Sequence, residues 1–192
     1  MFDNFKEYLQ GKITLSEEEL AYIEKFARYK KLRKKQYLLQ EGDICKQHAF
    51  VAKGLMRAYS VDEKGSEHIT RFAREDWWIS DRESLLSGHP SRFNIDAIEA
   101  SDLILFDKDE FDVICQKLPV FNQLITNVLN KSFVVYQDRV HEAISTTADE
   151  KYHNFMRRYP EYSLRVPQAM IASYLGMTPE TLSRLRNPKS KK

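Results

Sequence analysis

The stretch Pro167 to Arg186, PQAMIASYLGMTPETLSRLR, gathers the side chains with the most recognisable chemistry. If its second half is helical, Glu180, Thr181, Ser183, Arg184 and Arg186 lie on the outer side of that helix. A guanidinium presented this way can grip guanine through two parallel hydrogen bonds, and a carboxylate can accept from the cytosine amine. Arg184 therefore reads as a guanine contact and Glu180 as a cytosine contact. Gln168, Ser173 and the tail Lys189–Lys192 suit phosphate oxygens, contacts that position a protein on a duplex without specifying sequence. Each of these side chains is equally at home on an ordinary solvated surface, so the surrounding pattern has to decide.

That pattern is the one two short helices need when they cross steeply around a tight turn. Ala172 is the small residue where the helices nearly touch, and Gly176 supplies the turn. Ile171, Leu175, Met177, Leu182 and Leu185 occupy the inward offsets. Thr178 can cap the second helix, and Pro179 fits its first turn because a missing N–H costs nothing there. All the constrained positions agree, which predicts a helix-turn-helix; the plainer alternative is a helical hairpin without a DNA role.

Upstream, Ser16-Glu17-Glu18-Glu19 is a capping box, and Leu20, Ile23, Phe26 and Ala27 follow at helical spacing. The basic run RYKKLRKK, residues 28–35, suits a nucleic-acid or acidic partner but is expected to be a solvated face. From about Gln36 to Phe106, short apolar segments alternate with turn signals such as Glu41-Gly42-Asp43, Lys53-Gly54 and Asp62-Glu63-Lys64-Gly65. This predicts an antiparallel roll. After Pro119, apolar residues from Phe121 to Ile144 recur at three- and four-residue steps without Gly or Pro. They occupy more than one face, as expected for a long helix that lies on the roll and meets a second copy of itself. Thr147-Ala148-Asp149-Glu150 is a second capping box that starts a fresh helix, and Tyr159-Pro160 ends it. The fold class is thus α+β. The expected domains are a sensor roll with flanking helices at 1–117, a dimerisation helix at 118–145 and a helix-turn-helix head at 146–192.

Composition bounds the remaining possibilities. The 192 residues carry a net charge of +2, but residues 151–192 hold nine Lys or Arg against two Glu, a net of +7. The rest carries −5, so a small total conceals a basic head on an acidic body. No uninterrupted apolar run is longer than that from Phe133 to Tyr136, far short of the ~20 residues of a membrane span. The acidic N-terminus lacks a signal-peptide pattern, so a cytoplasmic protein with no membrane association is expected. Cys45 and Cys115 support neither a disulfide framework nor a four-ligand metal site. No two histidines lie close enough for a clustered metal-dependent enzyme site; no cofactor and no enzymatic activity are expected.

A roll, a long helix and a C-terminal helix-turn-helix together resemble the Crp-Fnr family of bacterial transcription regulators over nearly the whole chain. The resemblance is most specific in IASYLGMTPETLSRLR, where Glu180, Thr181 and Arg184 match the family's base-reading positions. It is looser in the roll, at Glu41-Gly42-Asp43, Gly54 and Gly65. It implies a homodimer on double-stranded DNA, a sensor roll that controls the orientation of the heads, a small-molecule effector and contact with RNA polymerase.

Two departures qualify the resemblance. The family's cyclic-nucleotide binders carry a Gly-Glu pair and an Arg-Ser/Thr-Ala phosphate cassette. Here the stretch from Asp76 to Ala97 has Ser80-Asp81 nearby and Arg92 at the cassette arginine, but Phe93-Asn94 replaces the small pair. The bulk of Phe93 obstructs backbone approach to a phosphate, so cyclic AMP is expected to bind weakly or not at all. Trp77, Trp78, Ser80, Asp81, Arg92, Phe93, Asn94 and Tyr136 are the candidates for a different effector pocket; the tryptophans otherwise cap the core. The second departure is the wing, a β-hairpin usual after the recognition helix, which Asn187-Pro188 and a short basic tail replace. The alternative function is therefore a ligand-binding or protein-interaction module whose head no longer binds DNA.

Overall fold

The computed structural model describes residues 2–187. Two short helices, α1 (Phe2–Gln10) and α2 (Glu17–Glu24), open the chain. The capping box at the start of α2 is complete: Ser16 Oγ accepts from Glu19 N at 3.2 Å, and Glu19 Oε2 accepts from Ser16 N at 2.8 Å.

Eight strands follow. They are β1 (Arg28–Leu32), β2 (Tyr37–Leu39), β3 (Gln47–Lys53), β4 (Met56–Val61), β5 (Glu67–Ala73), β6 (Trp78–Ile79), β7 (Asn94–Ala97) and β8 (Ser101–Asp107). A short helix, α3 (Arg82–Ser87), lies between β6 and β7. The strands form two four-stranded sheets, ordered β1-β8-β3-β6 and β2-β7-β4-β5, with antiparallel neighbours. Strand periodicity divides the first sheet between two cores. Ala49, Val51, Leu103 and Leu105 enter the cluster shared with Leu39, Met56, Ala58 and Ile95 of the second sheet. Phe50, Ala52, Ile104 and Phe106 point the other way, into a cluster with α1, α2 and the helices that follow β8. Both faces of β3 and β8 are therefore buried, which is why they read as near-continuous apolar runs.

The roll begins earlier than expected. The basic run does face solvent, as expected, but Arg28–Leu32 within it is strand β1, paired with β8 from Arg28↔Leu105 to Leu32↔Ser101. Only Leu32 enters the core, while Arg28, Tyr29 and Lys31 face solvent along a sheet edge. Lysines on such an edge discourage pairing with another chain. Gly54 shows why the turns demand glycine. Its φ is +99°, and a Cβ there would lie 2.7 Å from Ala100 O.

Beyond the roll come α4 (Lys108–Lys117), α5 (Pro119–Ser145), α6 (Ala148–Arg158), α7 (Tyr162–Arg165), α8 (Gln168–Leu175) and α9 (Pro179–Arg186). Pro119 opens α5, a helix of 27 residues whose first turns bury Phe121 and Leu124. The chain divides into two compact units. One comprises Met1–Ser60 and Thr70–Leu129; the other comprises Val61–Ile69 and Asn130–Lys192. Among the described residues no helix is long and apolar enough to cross a membrane.

Candidate nucleic-acid interface

The second unit is built around aromatic residues spaced along α6, α7 and α8. Phe155 meets Tyr159, Tyr162 and Tyr174 at centroid distances of 5.7, 6.0 and 5.4 Å. Tyr159 and Tyr162 stack at 5.2 Å. Ile171, Ala172 and Leu182 are buried, so α8 and α9 pack through the positions the motif reserves for apolar residues. Leu175, Met177 and Leu185 are half-buried at the edge of that packing.

The turn follows the sequence closely. Gly176 closes α8 with φ +67° and ψ 36°, the left-handed conformation that favours glycine, and its N–H donates to Ser173 O at 3.1 Å. Met177 N donates to Ala172 O at 3.0 Å, which returns the chain toward the helix. Thr178 then caps α9: its Oγ1 accepts from Thr181 N at 3.2 Å, and Pro179 takes the first turn.

This geometry presents Glu180, Ser183, Arg184 and Arg186 to solvent, with Thr181 half-buried between them. Arg184 Nε lies 3.4 Å from Glu180 O, one turn earlier on the same helix. The Glu180 carboxyl is held below the usual carboxylate range. Hydrogen bonding to its own backbone N–H contributes most, followed by the Thr178 hydroxyl, and the Arg184 charge adds to it. It is thus a charged acceptor at neutral pH, and its place in the first turn of α9 suits the positive end of the helix dipole.

Other expected contacts are arranged differently. The Ser173 hydroxyl donates to Glu67 O at 2.6 Å and accepts from Ile69 N at 3.0 Å. It is thus engaged by the strand backbone of its own unit instead of standing open to a phosphate. Gln168 is half-buried at the start of α8. The tail Lys189–Lys192 lies outside the described residues.

Two arginines that the sequence did not mark tie other helices of the second unit to α5, Arg139 the motif helix α8 and Arg158 the helix α6. The Arg139 guanidinium lies 3.9 Å from the Tyr174 ring centroid, and Nη2 donates to Tyr174 O at 3.1 Å. Arg158 approaches Glu142 at 3.5 Å and Asp138 at 3.7 Å. Burial pushes the Tyr174 phenol up to about 12. An arginine of α5 facing an aromatic of α8, 35 residues on, has no periodic signature, so spacing alone does not reveal the pair.

In the first unit, the residues expected to line an effector pocket do not converge. Trp78 belongs to the aromatic cluster, 5.3 Å from Phe50 and 5.5 Å from Phe111, whereas Trp77 packs on the inter-sheet core. Asp81 is buried as the N-cap of α3, accepting from Glu83 N at 3.0 Å and from the Ser91 hydroxyl at 2.6 Å. The first-turn N–H group that a phosphate would seek already has a carboxylate partner. Arg92 is exposed and pairs with Glu83 at 2.7 Å. Phe93 is half-buried, and Asn94 is buried, with Oδ1 accepting from Glu41 N at 3.0 Å. Tyr136 belongs to the second unit and is exposed on α5. Of the eight, Ser80 lines a cavity that opens at one end of the inter-sheet core. Among the described residues no group of three or more His, Cys, Asp or Glu is placed to hold a metal ion.

Residues 29–118 match the cyclic nucleotide-binding domain family. Over 184 residues the chain is 28% identical to the fumarate and nitrate reduction regulatory protein of Escherichia coli, covering 90% of this chain and 73% of that protein. It is 27% identical to the anaerobic regulatory protein of Haemophilus influenzae, over 90% of this chain and 71% of the relative. Among solved structures, FixK2 from Bradyrhizobium japonicum superposes with a TM-score of 0.74 at 20% identity. That match covers 84% of this chain and 83% of FixK2.

Proposed function

We propose that this chain, which belongs to the Crp-Fnr family of transcription regulators, acts in the cytoplasm as a homodimer that binds a pseudo-palindromic DNA site through α9. The observation that carries this reading is the capped α8–turn–α9 unit, with Glu180, Ser183, Arg184 and Arg186 exposed along α9. A helix inserted in the major groove reads base edges with its N-terminal residues, which gives Glu180, Thr181 and Arg184 the specifying role. Ser183, Arg186 and Gln168 reach the flanking phosphates, and Thr178 holds the helix start in place.

Dimerisation follows from α5. Phe133, Tyr136, Val140 and Ile144 are 61%, 63%, 44% and 83% exposed, at steps of three and four residues. That spacing forms a single apolar stripe, the pattern by which one helix packs against a second copy. Two copies place two α9 helices on one duplex, and half-sites about one helical turn apart follow.

The chain then divides by task into the sensing roll at 1–117, the connecting helix at 118–145 and the head at 146–192. The filled α3 start and the outward Arg92–Glu83 pair support an effector other than cyclic AMP. Contact with RNA polymerase is proposed on the family resemblance. The alternative, a head that no longer binds DNA, is disfavoured because α9 keeps an exposed, charged face on an intact helix-turn-helix.

Native mass spectrometry combined with fluorescence anisotropy on genomic duplexes tests the proposal. A dimer that binds a subset of fragments, with affinity falling steeply as salt rises, is expected. A monomer with no retained fragment at low salt contradicts it.

A further inference from the structure

A cavity of about 420 Å³ opens at one end of the inter-sheet core. Its floor is apolar: Leu39, Ala49, Ile79 and Ile95 line it, each at most 8% exposed and part of the buried cluster between the sheets. Its rim is polar and carries Arg28, Lys46, Gln47 and Asp107. Arg28 pairs with Asp107 and, at 3.2 Å, with Glu110 of α4. Gln47 Nε2 donates to Asp107 Oδ1 at 2.6 Å. Lys46 is exposed, and among the described residues it has no ion-pair partner. Arg28 and Lys46 thus share the mouth with Asp107, while Glu110 holds Arg28 from α4, which leaves Lys46 as the cation there without a paired carboxylate.

We propose that this cavity binds a small carboxylic acid with an apolar body, its chain on the Leu39–Ala49–Ile79–Ile95 floor and its carboxylate on Arg28. The four floor residues offer no hydrogen bond and the rest of the interior only the Ser80 hydroxyl and the Cys45 thiol, so most hydroxyls of a sugar or a nucleotide ribose would lose their hydration there without compensation. A cationic head would meet Arg28 and Lys46 and be repelled. A carboxylate matches the planar guanidinium through two parallel hydrogen bonds. The size is that of a small-molecule site, with an apolar floor joined to convergent polar groups at the rim.

The same geometry links occupancy to α4. Asp107 is the N-cap residue of α4, yet its side chain makes no capping hydrogen bond while it holds Arg28 and Gln47. A ligand carboxylate that displaces Asp107 and Glu110 from Arg28 releases Asp107 toward the open N–H groups of the first turn of α4. That helix leads directly into α5. The consequence for DNA binding rests on the regulator reading; the site itself does not.

Calorimetry on the full chain, with octanoate as the probe and octylamine as the cationic control, tests the assignment. Saturable octanoate binding at one site per chain is expected, with octylamine silent. Arg28→Gln should weaken octanoate about tenfold or more, as expected for loss of a charged hydrogen-bonding partner. Ala49→Leu should fill the floor and remove binding. If Ala49→Leu fails to fold, Arg28→Gln alone decides. No octanoate heat, equal binding of octylamine, or octanoate binding undiminished in Arg28→Gln overturns the proposal. Octanoate binding by a chain that shifts no DNA supports the cavity and removes only the regulator reading.

Discussion

The Arg139 guanidinium covers the Tyr174 ring at 3.9 Å and also donates to the carbonyl of the same residue at 3.1 Å. One side chain of α5 thereby holds both the ring and the backbone of the first motif helix. Removing it with Arg139→Ala should destabilise α8 against α5 by about 1–2 kcal/mol, the range of a partly desolvated cation–π contact with its hydrogen bond. Arg139→Lys should retain part of this, since an ammonium keeps the charge and loses the planar fork. Hydrogen exchange at the amides of α8 measures it. Unchanged protection in Arg139→Ala would mean that packing around Phe155 and Ile171 suffices.

The start of α9 depends on one hydroxyl. Thr178→Ala removes the acceptor for Thr181 N and should cost about 0.5–2 kcal/mol, while Thr178→Ser should recover most of it. At the preceding turn, Gly176→Ala forces a side chain into a left-handed backbone conformation at about 1–2 kcal/mol. Thermal melts of the three variants test both statements together. A melt for Thr178→Ala indistinguishable from the parent would show that Pro179 alone sets the helix start.

The proposed self-association rests on the exposed stripe of α5. Charge placed on it by Phe133→Glu together with Ile144→Glu should convert the dimer to a monomer without loss of helical content. Native mass and circular dichroism read the two effects separately. A variant that stays dimeric would locate the interface elsewhere.

His48 gives the roll an acid sensitivity. It stacks on Phe111 at 4.1 Å, and burial lowers its pKa from 6.5 to about 4. Asp112 opposes that shift, while Arg82 and Lys108 add to it. The unfolded chain takes up this proton at higher pH than the folded one does. The stability held above pH 6.5 is therefore lost progressively as pH falls toward about 4. Urea titrations across that window should show a shallower fall for His48→Gln. Parallel curves for the two proteins would remove His48 from the account.

Much of this architecture is written in local patterns. Both capping boxes, the run of α5 from Pro119 and the Gly176–Thr178–Pro179 turn are visible because each rests on contacts within a few residues. β1 was hidden by its place in the sheet: an edge strand with solvent-facing lysines needs a single apolar anchor, Leu32, and so lacks alternation. Asp81 was misleading for a related reason. As a buried helix cap it looks, in sequence, like a polar group awaiting a ligand. Arg139 with Tyr174 and Ser173 with Glu67 join residues distant in sequence, which no spacing rule reports. The apolar cavity was invisible because Leu39, Ala49, Ile79 and Ile95 come from four strands and read individually as core.

Selection from a pool of random duplexes addresses the central claim most directly. The account predicts enrichment of a two-fold symmetric motif with half-sites about one helical turn apart. It further predicts that Arg184→Ala relaxes preference at one base pair in each half-site by about 1–3 kcal/mol. A selection that enriches no symmetric motif, or in which Arg184→Ala weakens all duplexes equally, would contradict it.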